Sequence, residues 1–134
     1  MRWVVRSGMI VAAAAFAVAF ASVAPAQDSA MRKELKRADL SGSPGMEVIS
    51  SITELKAGDE FPRHLHHGVE AGYVVQGGMI QMPGQAPTML ATGAPIFNLR
   101  DAVHAGYKVV GPGSLILYTT HVVDKGKPLY DWVK

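Results

Sequence analysis

The chain of 134 residues is 49% hydrophobic and 18% charged, a balance typical of one globular domain and not of a disordered chain. It contains no cysteine, which excludes disulfide frameworks, zinc–thiolate centres, iron–sulfur clusters and thiol nucleophiles. The formal charge of +2 comes from two arginines in the first 26 residues, because the remaining 108 residues carry 11 cationic and 11 acidic side chains. A neutral domain without a basic cluster offers little to a phosphate backbone, so nucleic acid is not expected as a partner.

The first 26 residues have the three parts of a secretory signal peptide. Arg2 and Arg6 precede an apolar run over residues 9–21, and Ala24-Pro25-Ala26 follows as a small-residue cleavage site. Cleavage after Ala26 predicts a mature chain of residues 27–134 that is periplasmic or secreted, without a stable membrane span.

An uncleaved N-terminal anchor is the alternative interpretation of the same segment. Residues 7–27 carry no charge and are long enough to span a bilayer. Against an anchor, alanine is only weakly apolar and Pro25 interrupts a helix just before the small-residue site. Cleavage is therefore the preferred expectation.

The mature chain has the pattern of short strands separated by turns. Residues 28–40 are polar and predict a loose arm or an edge strand. Segments rich in β-branched and apolar residues follow at residues 46–55, 72–75, 79–82, 88–90, 94–99, 104–110 and 115–123. Glycine and proline, 14 and 8 in the whole chain, separate these segments. The pattern predicts a single all-β domain, a closed barrel or a sandwich.

Three histidines and one glutamate have the spacing of a metal site. His64 and His66 are two residues apart, so on a strand both imidazoles leave the same face. Glu70 follows four residues later, and His104 lies in a later predicted strand. Two imidazoles on one face are costly to bury without polar partners or a metal. Neutral imidazoles with a carboxylate suit Fe²⁺, Mn²⁺, Ni²⁺, Cu²⁺ or Zn²⁺.

The segment from Gly58 to Gly77, GDEFPRHLHHGVEAGYVVQG, resembles the first sequence motif of the cupin superfamily, G-x5-H-x-H-x3-E-x6-G, with every fixed position filled. The second cupin motif, G-x5-P-x-G-x2-H-x3-N, is matched in part, since Gly93 and His104 are in register. The other three fixed positions hold different residues: Leu99, Asp101 and Lys108. The resemblance spans residues 46–123 and is nearest to small exported single-domain cupins.

This resemblance implies a small antiparallel β-barrel, the jelly-roll-like double-stranded β-helix of cupins, with one divalent metal ion inside. Carried over by position in the motifs, the metal ligands are His64, His66, Glu70 and His104. Fe²⁺ or Mn²⁺ is the first expectation, with Ni²⁺, Cu²⁺ and Zn²⁺ as alternatives. Small cupins of this kind often pair, so a homodimer is expected.

Two further histidines and the aromatic tail lie outside the motifs. His67 directly follows His66 and is expected on the opposite face, as a surface residue or as a participant in metal exchange. His121 lies in the last long predicted strand, where an ordinary buried histidine is one interpretation and a partner of the metal ligands or an acid or base is the other. Tyr130 and Trp132 are expected to pack on the barrel or on a neighbouring subunit.

A substrate cavity beside the metal would need walls and a rim. Phe97, Val74 and Leu117 are the candidate walls, although Phe97 also suits simple core packing. Arg63 and Lys108 are candidates to hold an anionic group at the rim.

Three classes of function remain open. The first is a metal-dependent oxygenase acting on a small enolic or phenolic compound, with Glu70 as both metal ligand and proton acceptor. The second is a non-catalytic module that binds a metal or a small ligand, and the third is a metal-free structural barrel. The intact first motif argues against the third class. The fold cannot separate the first two, because one scaffold hosts enzymes and binding proteins alike.

Overall fold

The structure, a computed structural model, describes residues 31–134. The predicted signal peptide and its cleavage site lie outside the described residues. Over residues 31–134 the chain forms strands and turns, and this part contains no helix that is long and apolar enough to cross a membrane. The strands are β1 (Arg32–Asp39), β2 (Met46–Leu55), β3 (Glu60–Phe61), β4 (His64–Leu65), β5 (Gly68–Gln76), β6 (Gly78–Gln81), β7 (Thr88–Leu90), β8 (Pro95–Asn98), β9 (Tyr107–Val110), β10 (Leu115–Asp124) and β11 (Asp131–Trp132).

The strands form three antiparallel groups. The largest is a five-stranded sheet with the order β1-β2-β10-β5-β8, and the second is a four-stranded sheet with the order β3-β9-β6-β7. Strand β11 pairs with β4. Strand β10, near the end of the chain, lies between β2 and β5, so distant segments meet in the middle of the large sheet. The prediction of an all-β, antiparallel fold is confirmed.

The central strands β2 and β10 show why these segments form a half-buried sheet. Buried residues alternate along both strands, as expected where one face of a sheet covers the core. One end of the shared inner face is apolar, with Leu55 opposite Leu115. Val109 of β9 joins this cluster and connects the two larger sheets. The middle of the face is polar, with buried Ser51 on β2 and Thr119 and His121 on β10.

Two glycines allow β5 and β10 to approach closely on either side of Glu70. A Cβ atom added at Gly68 would lie 2.0 Å from the carbonyl oxygen of Val122, and one added at Gly72 would lie 2.0 Å from that of Tyr118. Any side chain at these positions would force the strands apart. The glycines therefore help to hold Glu70 against β10.

The predicted strands agree with the observed ones except close to the site. Residues 46–55 and 88–90 match β2 and β7, and the described part of the polar segment predicted at 28–40 contains the edge strand β1. The segment predicted at 72–75 is only part of β5, because Gly68 and Glu70 weaken the strand signal before it. The segment predicted at 104–110 begins as a strand only at Tyr107, since Ala105 and Gly106 have positive φ angles of 60° and 82°.

Candidate metal centre

The structure brings together the three motif histidines from two distant segments. His64 lies on β4 and His66 follows that strand, while His104 lies in the loop before β9. The backbones of His64 and His104 form a bridge, with N–O distances of 3.2 and 2.9 Å. The ring centroids of His64 and His104 are 4.3 Å apart, and each lies 4.9 Å from that of His66. One potential ligand atom from each ring lies within 4.8 Å of the other two.

Each of these three imidazoles is fixed through Nδ1. In every case a backbone carbonyl oxygen lies within hydrogen-bond distance of Nδ1: that of Pro62 for His64 at 2.8 Å, Ala102 for His104 at 2.9 Å and Leu129 for His66. Because a carbonyl can only accept, each Nδ1 carries a proton, and the Nε2 lone pair remains available to a metal. Nε2 of His66 and of His104 is buried and has no hydrogen bond with any residue in the described part of the chain.

Glu70 completes the cluster from β5. Its Oε2 atom lies 3.3 Å from Nε2 of His104 and 3.5 Å from Nε2 of His66. The same oxygen accepts a hydrogen bond of 2.7 Å from Nδ2 of Asn98, and Oε1 lies 3.2 Å from Nε2 of His121. Asn98 and His121 are the residues directly opposite Glu70 on the two neighbouring strands, β8 and β10. The carboxylate is thus held from both sides of its strand.

The pKa shifts of His64 and Glu70 favour cation binding, and that of His104 opposes it. Burial lowers the pKa of His64 to about 4, and the neighbouring imidazoles act in the same direction. For Glu70, burial opposes ionisation, but contacts with His104, His121 and His66 outweigh it and hold the carboxyl pKa well below its usual range. For His104, burial is outweighed by the contact with Glu70, so its pKa is raised. At neutral pH the cluster offers a carboxylate beside imidazoles.

The residues present fit a divalent transition metal. Three imidazoles with preset tautomers and one ionised carboxylate form a mixed nitrogen and oxygen donor set. Burying nitrogen lone pairs without donors is costly, and a metal ion would relieve that cost. No described residue donates a hydrogen bond to Nε2 of His66 or of His104. The cluster can therefore hold a metal ion. His64, His66 and His104 form one group of possible ligands, and His66, Glu70 and His121 form another, so each of the four predicted ligands belongs to at least one group.

His67 points away from the cluster, as predicted. Its Nδ1 lies 2.9 Å from an oxygen of Asp101, and its Nε2 lies 3.3 Å from an oxygen of Asp131. Asp101 occupies the position of the glycine in the second cupin motif and keeps a left-handed backbone with φ of 59°. Aspartate tolerates this conformation better than most residues, which explains how the altered motif still makes the turn into His104.

A cavity of about 280 Å³ opens beside the cluster. Glu70 and His104 line it, together with Tyr107 of β9. Burial raises the pKa of Tyr107, so its phenol stays protonated at neutral pH. The remaining lining residues are mainly apolar: Phe61, Leu90, Pro95, Ile96, Phe97, Ala105 and Leu117, with Asn98.

The predicted walls and rim are only partly found at this cavity. Leu117 and Phe97 line it, but Val74 is completely buried in the core and is not among its walls. The core interpretation of Phe97 is wrong, because its side chain is 67% exposed. The prediction that Arg63 and Lys108 form the rim of this cavity is wrong, because both line a separate cavity of about 500 Å³.

Three residues beside the cluster have roles that the sequence did not establish: His121, Asn98 and Tyr130. His121 is completely buried against Glu70, so the interpretation as a partner of the ligands is the one that its position supports. No sequence pattern predicted the contact of Asn98 with Glu70, because that contact depends on the register between β5 and β8. The ring of Tyr130 packs against those of His64 and His66 at 4.8 and 5.2 Å, so Tyr130 packs on the barrel of its own chain, while Trp132 stacks on Tyr130 and stays half-exposed.

Comparison with known proteins agrees with this architecture. Residues 15–124 match the ChrR cupin-like domain family, and the chain belongs to that family. The cupin superfamily predicted from the two motifs is thereby confirmed. No curated protein matches the chain.

A solved structure of low sequence identity has the same fold, and two further solved proteins are similar over part of the chain. A protein with a double-stranded β-helix domain from Klebsiella pneumoniae is 16% identical, with a TM-score of 0.58 over 78% of this chain and 84% of that one. A cupin-like protein from Thermotoga maritima is 20% identical, with a TM-score of 0.48 over 76% and 74% of the two chains. A DMSP lyase from Ruegeria pomeroyi is 18% identical, with a TM-score of 0.47 over 60% of this chain and 40% of that one.

Proposed function

We propose that this protein is a metal-dependent enzyme, an oxygenase that acts on a small enolic or phenolic compound. The observation that carries the proposal is the position of Glu70 and His104, which belong to the metal-binding cluster and also line the cavity beside it. A compound in this cavity would lie next to the metal. When bound, Fe²⁺ or a similar ion would supply Lewis acidity and positions for oxygen ligands.

The side chains around the cavity favour a neutral, planar substrate. Within the part of the chain that the structure describes, no lysine or arginine lines the cavity, while Leu117, Ile96 and Phe97 offer apolar surface for a ring. Among residues 31–134, Glu70 is the carboxylate that lines the cavity, and it is the candidate to accept a proton from a substrate hydroxyl group. Its lowered pKa makes it a weak base on its own, so the transfer would depend on the acidity that a bound metal would give that hydroxyl group. Tyr107 keeps its proton and can donate a hydrogen bond to a substrate oxygen.

A non-catalytic module that binds a metal or a small ligand is the second candidate. In its favour, the lining of the cavity holds no acid or base other than Tyr107 and the candidate metal ligands Glu70 and His104. A binding module would use the same cluster and cavity without turnover.

Metal analysis followed by oxygen consumption separates these functions. Untagged protein would be loaded with Fe²⁺ or Mn²⁺, its metal content measured, and O₂ uptake followed with a panel of neutral phenols and enols. O₂ uptake that depends on both metal and substrate supports the enzyme. Metal-depleted Glu70→Ala protein is the control and should take up no O₂ with any member of the panel. Metal-loaded protein that binds panel members without O₂ uptake supports the binding module.

We also propose that the protein is exported, with cleavage after Ala26. The proposal rests on the charged start, the apolar run and the Ala24-Pro25-Ala26 site of the leader. Mass analysis of protein from its native host should show a chain that begins at Gln27 in the periplasm or the medium. Full-length chain in the membrane fraction would support the anchor.

A homodimer is proposed for the mature chain. Strand β1 is an edge of the large sheet and carries the half-exposed Leu35, and the half-exposed Trp132 lies in the short strand β11. Pairing between copies would cover such edges and apolar side chains. Light scattering at micromolar concentration should give twice the mass of one chain, and a monomer mass would contradict the proposal.

A further inference from the structure

His121 is a buried histidine that no cupin motif position includes. It is 0% exposed and lies on β10 directly opposite Glu70 on β5. Its Nε2 atom is 3.2 Å from Oε1 of Glu70, and its ring centroid is 4.5 Å from that of His66. Within residues 31–134, neither ring nitrogen makes a well-aligned hydrogen bond. A polar side chain buried so completely normally has hydrogen-bond partners, so its position requires an explanation.

The surroundings of Nδ1 distinguish His121 from the three ligand histidines. Each of those three faces a backbone carbonyl with Nδ1 and so exposes an Nε2 lone pair. Nδ1 of His121 faces no acceptor in the described part of the chain. A proton on that nitrogen would be buried without a partner, and the Nε2 lone pair would then face the negative charge of Glu70. A proton on Nε2 would instead lie beside Oε1, which is 3.2 Å from that nitrogen.

We propose that His121 is a positioning residue of the metal centre, which carries its proton on Nε2 and directs it at Oε1 of Glu70. The proposal rests on the proposed metal binding by Glu70 and the three ligand histidines. With Oε1 engaged by His121, the carboxylate turns Oε2 towards His66 and His104. Glu70 then binds the metal through Oε2, and Asn98 steadies the same oxygen from the other side.

Histidine tautomers can be measured directly in the metal-free chain by long-range ¹H–¹⁵N NMR correlation. The expected result is a proton on Nδ1 for His64, His66 and His104 and a proton on Nε2 for His121. A proton on Nδ1 of His121 overturns the proposal, because its Nε2 would then be a lone pair. This measurement needs no variant and does not depend on metal binding.

Cobalt binding tests whether His121 acts through Glu70. Co²⁺ would be titrated into the full chain, with affinity and visible absorption spectrum as readouts. His121→Phe removes the donor at similar volume, and His121→Gln places an amide N–H near the position of Nε2. We expect about a 10- to 100-fold loss of affinity and an altered spectrum for His121→Phe, as is typical when a partner of a metal ligand is lost. His121→Gln should recover most of the affinity and the wild-type spectrum, and His67→Phe on the outer face is the matched control.

The loss of Co²⁺ affinity caused by His121→Phe should be absent when Glu70, the residue that His121 positions, is also replaced. In a Glu70→Ala background, adding His121→Phe should change Co²⁺ affinity by less than about 3-fold, because contacting residues are coupled and the coupled group is gone. A loss that persists in this background, or equal losses in His121→Gln and His121→Phe, would make His121 a metal ligand or a packing residue and would overturn the proposal. Wild-type affinity in folded His121→Phe protein would also overturn it. Failure of the wild-type chain to bind Co²⁺ would instead remove the metal site, and the role of His121 with it.

Discussion

The backbone carbonyl of Leu129 accepts a hydrogen bond from Nδ1 of His66, although 63 residues separate the two in the chain. Leu129 is buried, and the next residue, Tyr130, packs its ring against His64 and His66. Strand β11 then pairs with β4, which carries His64. The C-terminal segment therefore fixes the orientation of two candidate ligands.

Shortening Tyr130 should weaken both the fold and the metal site. Tyr130→Ala removes a ring that contacts His64, His66 and Phe61, and we expect a loss of about 2–4 kcal/mol in the free energy of unfolding, measured in urea. Co²⁺ affinity should fall as well. Tyr130→Phe is the control, because it keeps the ring and should cost about 1 kcal/mol. Equal stability of the alanine variant and the wild type would show that the tail does not support the site.

Metal content should depend on the cluster and not on the outer histidine. The wild-type chain should bind one divalent ion, and His66→Ala and Glu70→Ala should each lower the affinity by at least about 10-fold, because each removes a ligand atom. His67→Ala should bind like the wild type, since its ring is directed to Asp101 and Asp131 on the outside. The measurement is metal analysis after equilibration with Fe²⁺, Mn²⁺, Ni²⁺, Cu²⁺ and Zn²⁺. A wild-type chain that stays metal-free with all five would contradict the site.

Metal affinity should fall as the pH is lowered, beginning above pH 6.5. A protonated imidazole cannot bind a metal, and the raised pKa of His104 means that it gains a proton above the usual histidine value of about 6.5. His64, with a pKa of about 4, competes with the metal only under more acidic conditions. Co²⁺ titrations at pH of about 7.5, 6.5 and 5.5 should give steadily weaker binding. Equal affinity at the three pH values would show that His104 is not a ligand.

The sequence allowed the fold to be predicted because strand alternation is a local pattern, and the four candidate ligands because they lie in two short motifs that resemble those of cupins. The spacing of His64, His66 and Glu70 lies within one segment, and the strand patterns of β2 and β10 alternate along the chain. The contacts of Glu70 with Asn98 and His121 depend on the register between β5 and its two neighbours. Register is set by the whole sheet, so a single sequence does not reveal it.

The cavity was predicted less well because one of the predicted strands is interrupted. Lys108 lies four residues after His104, and that spacing on a continuous strand would place both side chains on one face. The positive φ angles of Ala105 and Gly106 break the strand between them. Lys108 consequently lines the other cavity, 4.0 Å from an oxygen of Glu60.

Replacing Glu70 by glutamine should separate metal binding from catalysis. The amide oxygen can still bind a metal, but an amide does not accept a proton from a substrate hydroxyl at neutral pH. If Glu70 is the base, Glu70→Gln protein should keep its metal while its rate of O₂ uptake falls by about 10²- to 10⁴-fold, with a smaller change in substrate affinity. Glu60→Gln is the matched control, because that carboxylate is exposed and lines the other cavity. The rate and the metal content would be measured on the same samples, so that loss of metal is not mistaken for loss of the base. Equal turnover of metal-loaded Glu70→Gln and wild-type protein would assign the proton transfer to another group.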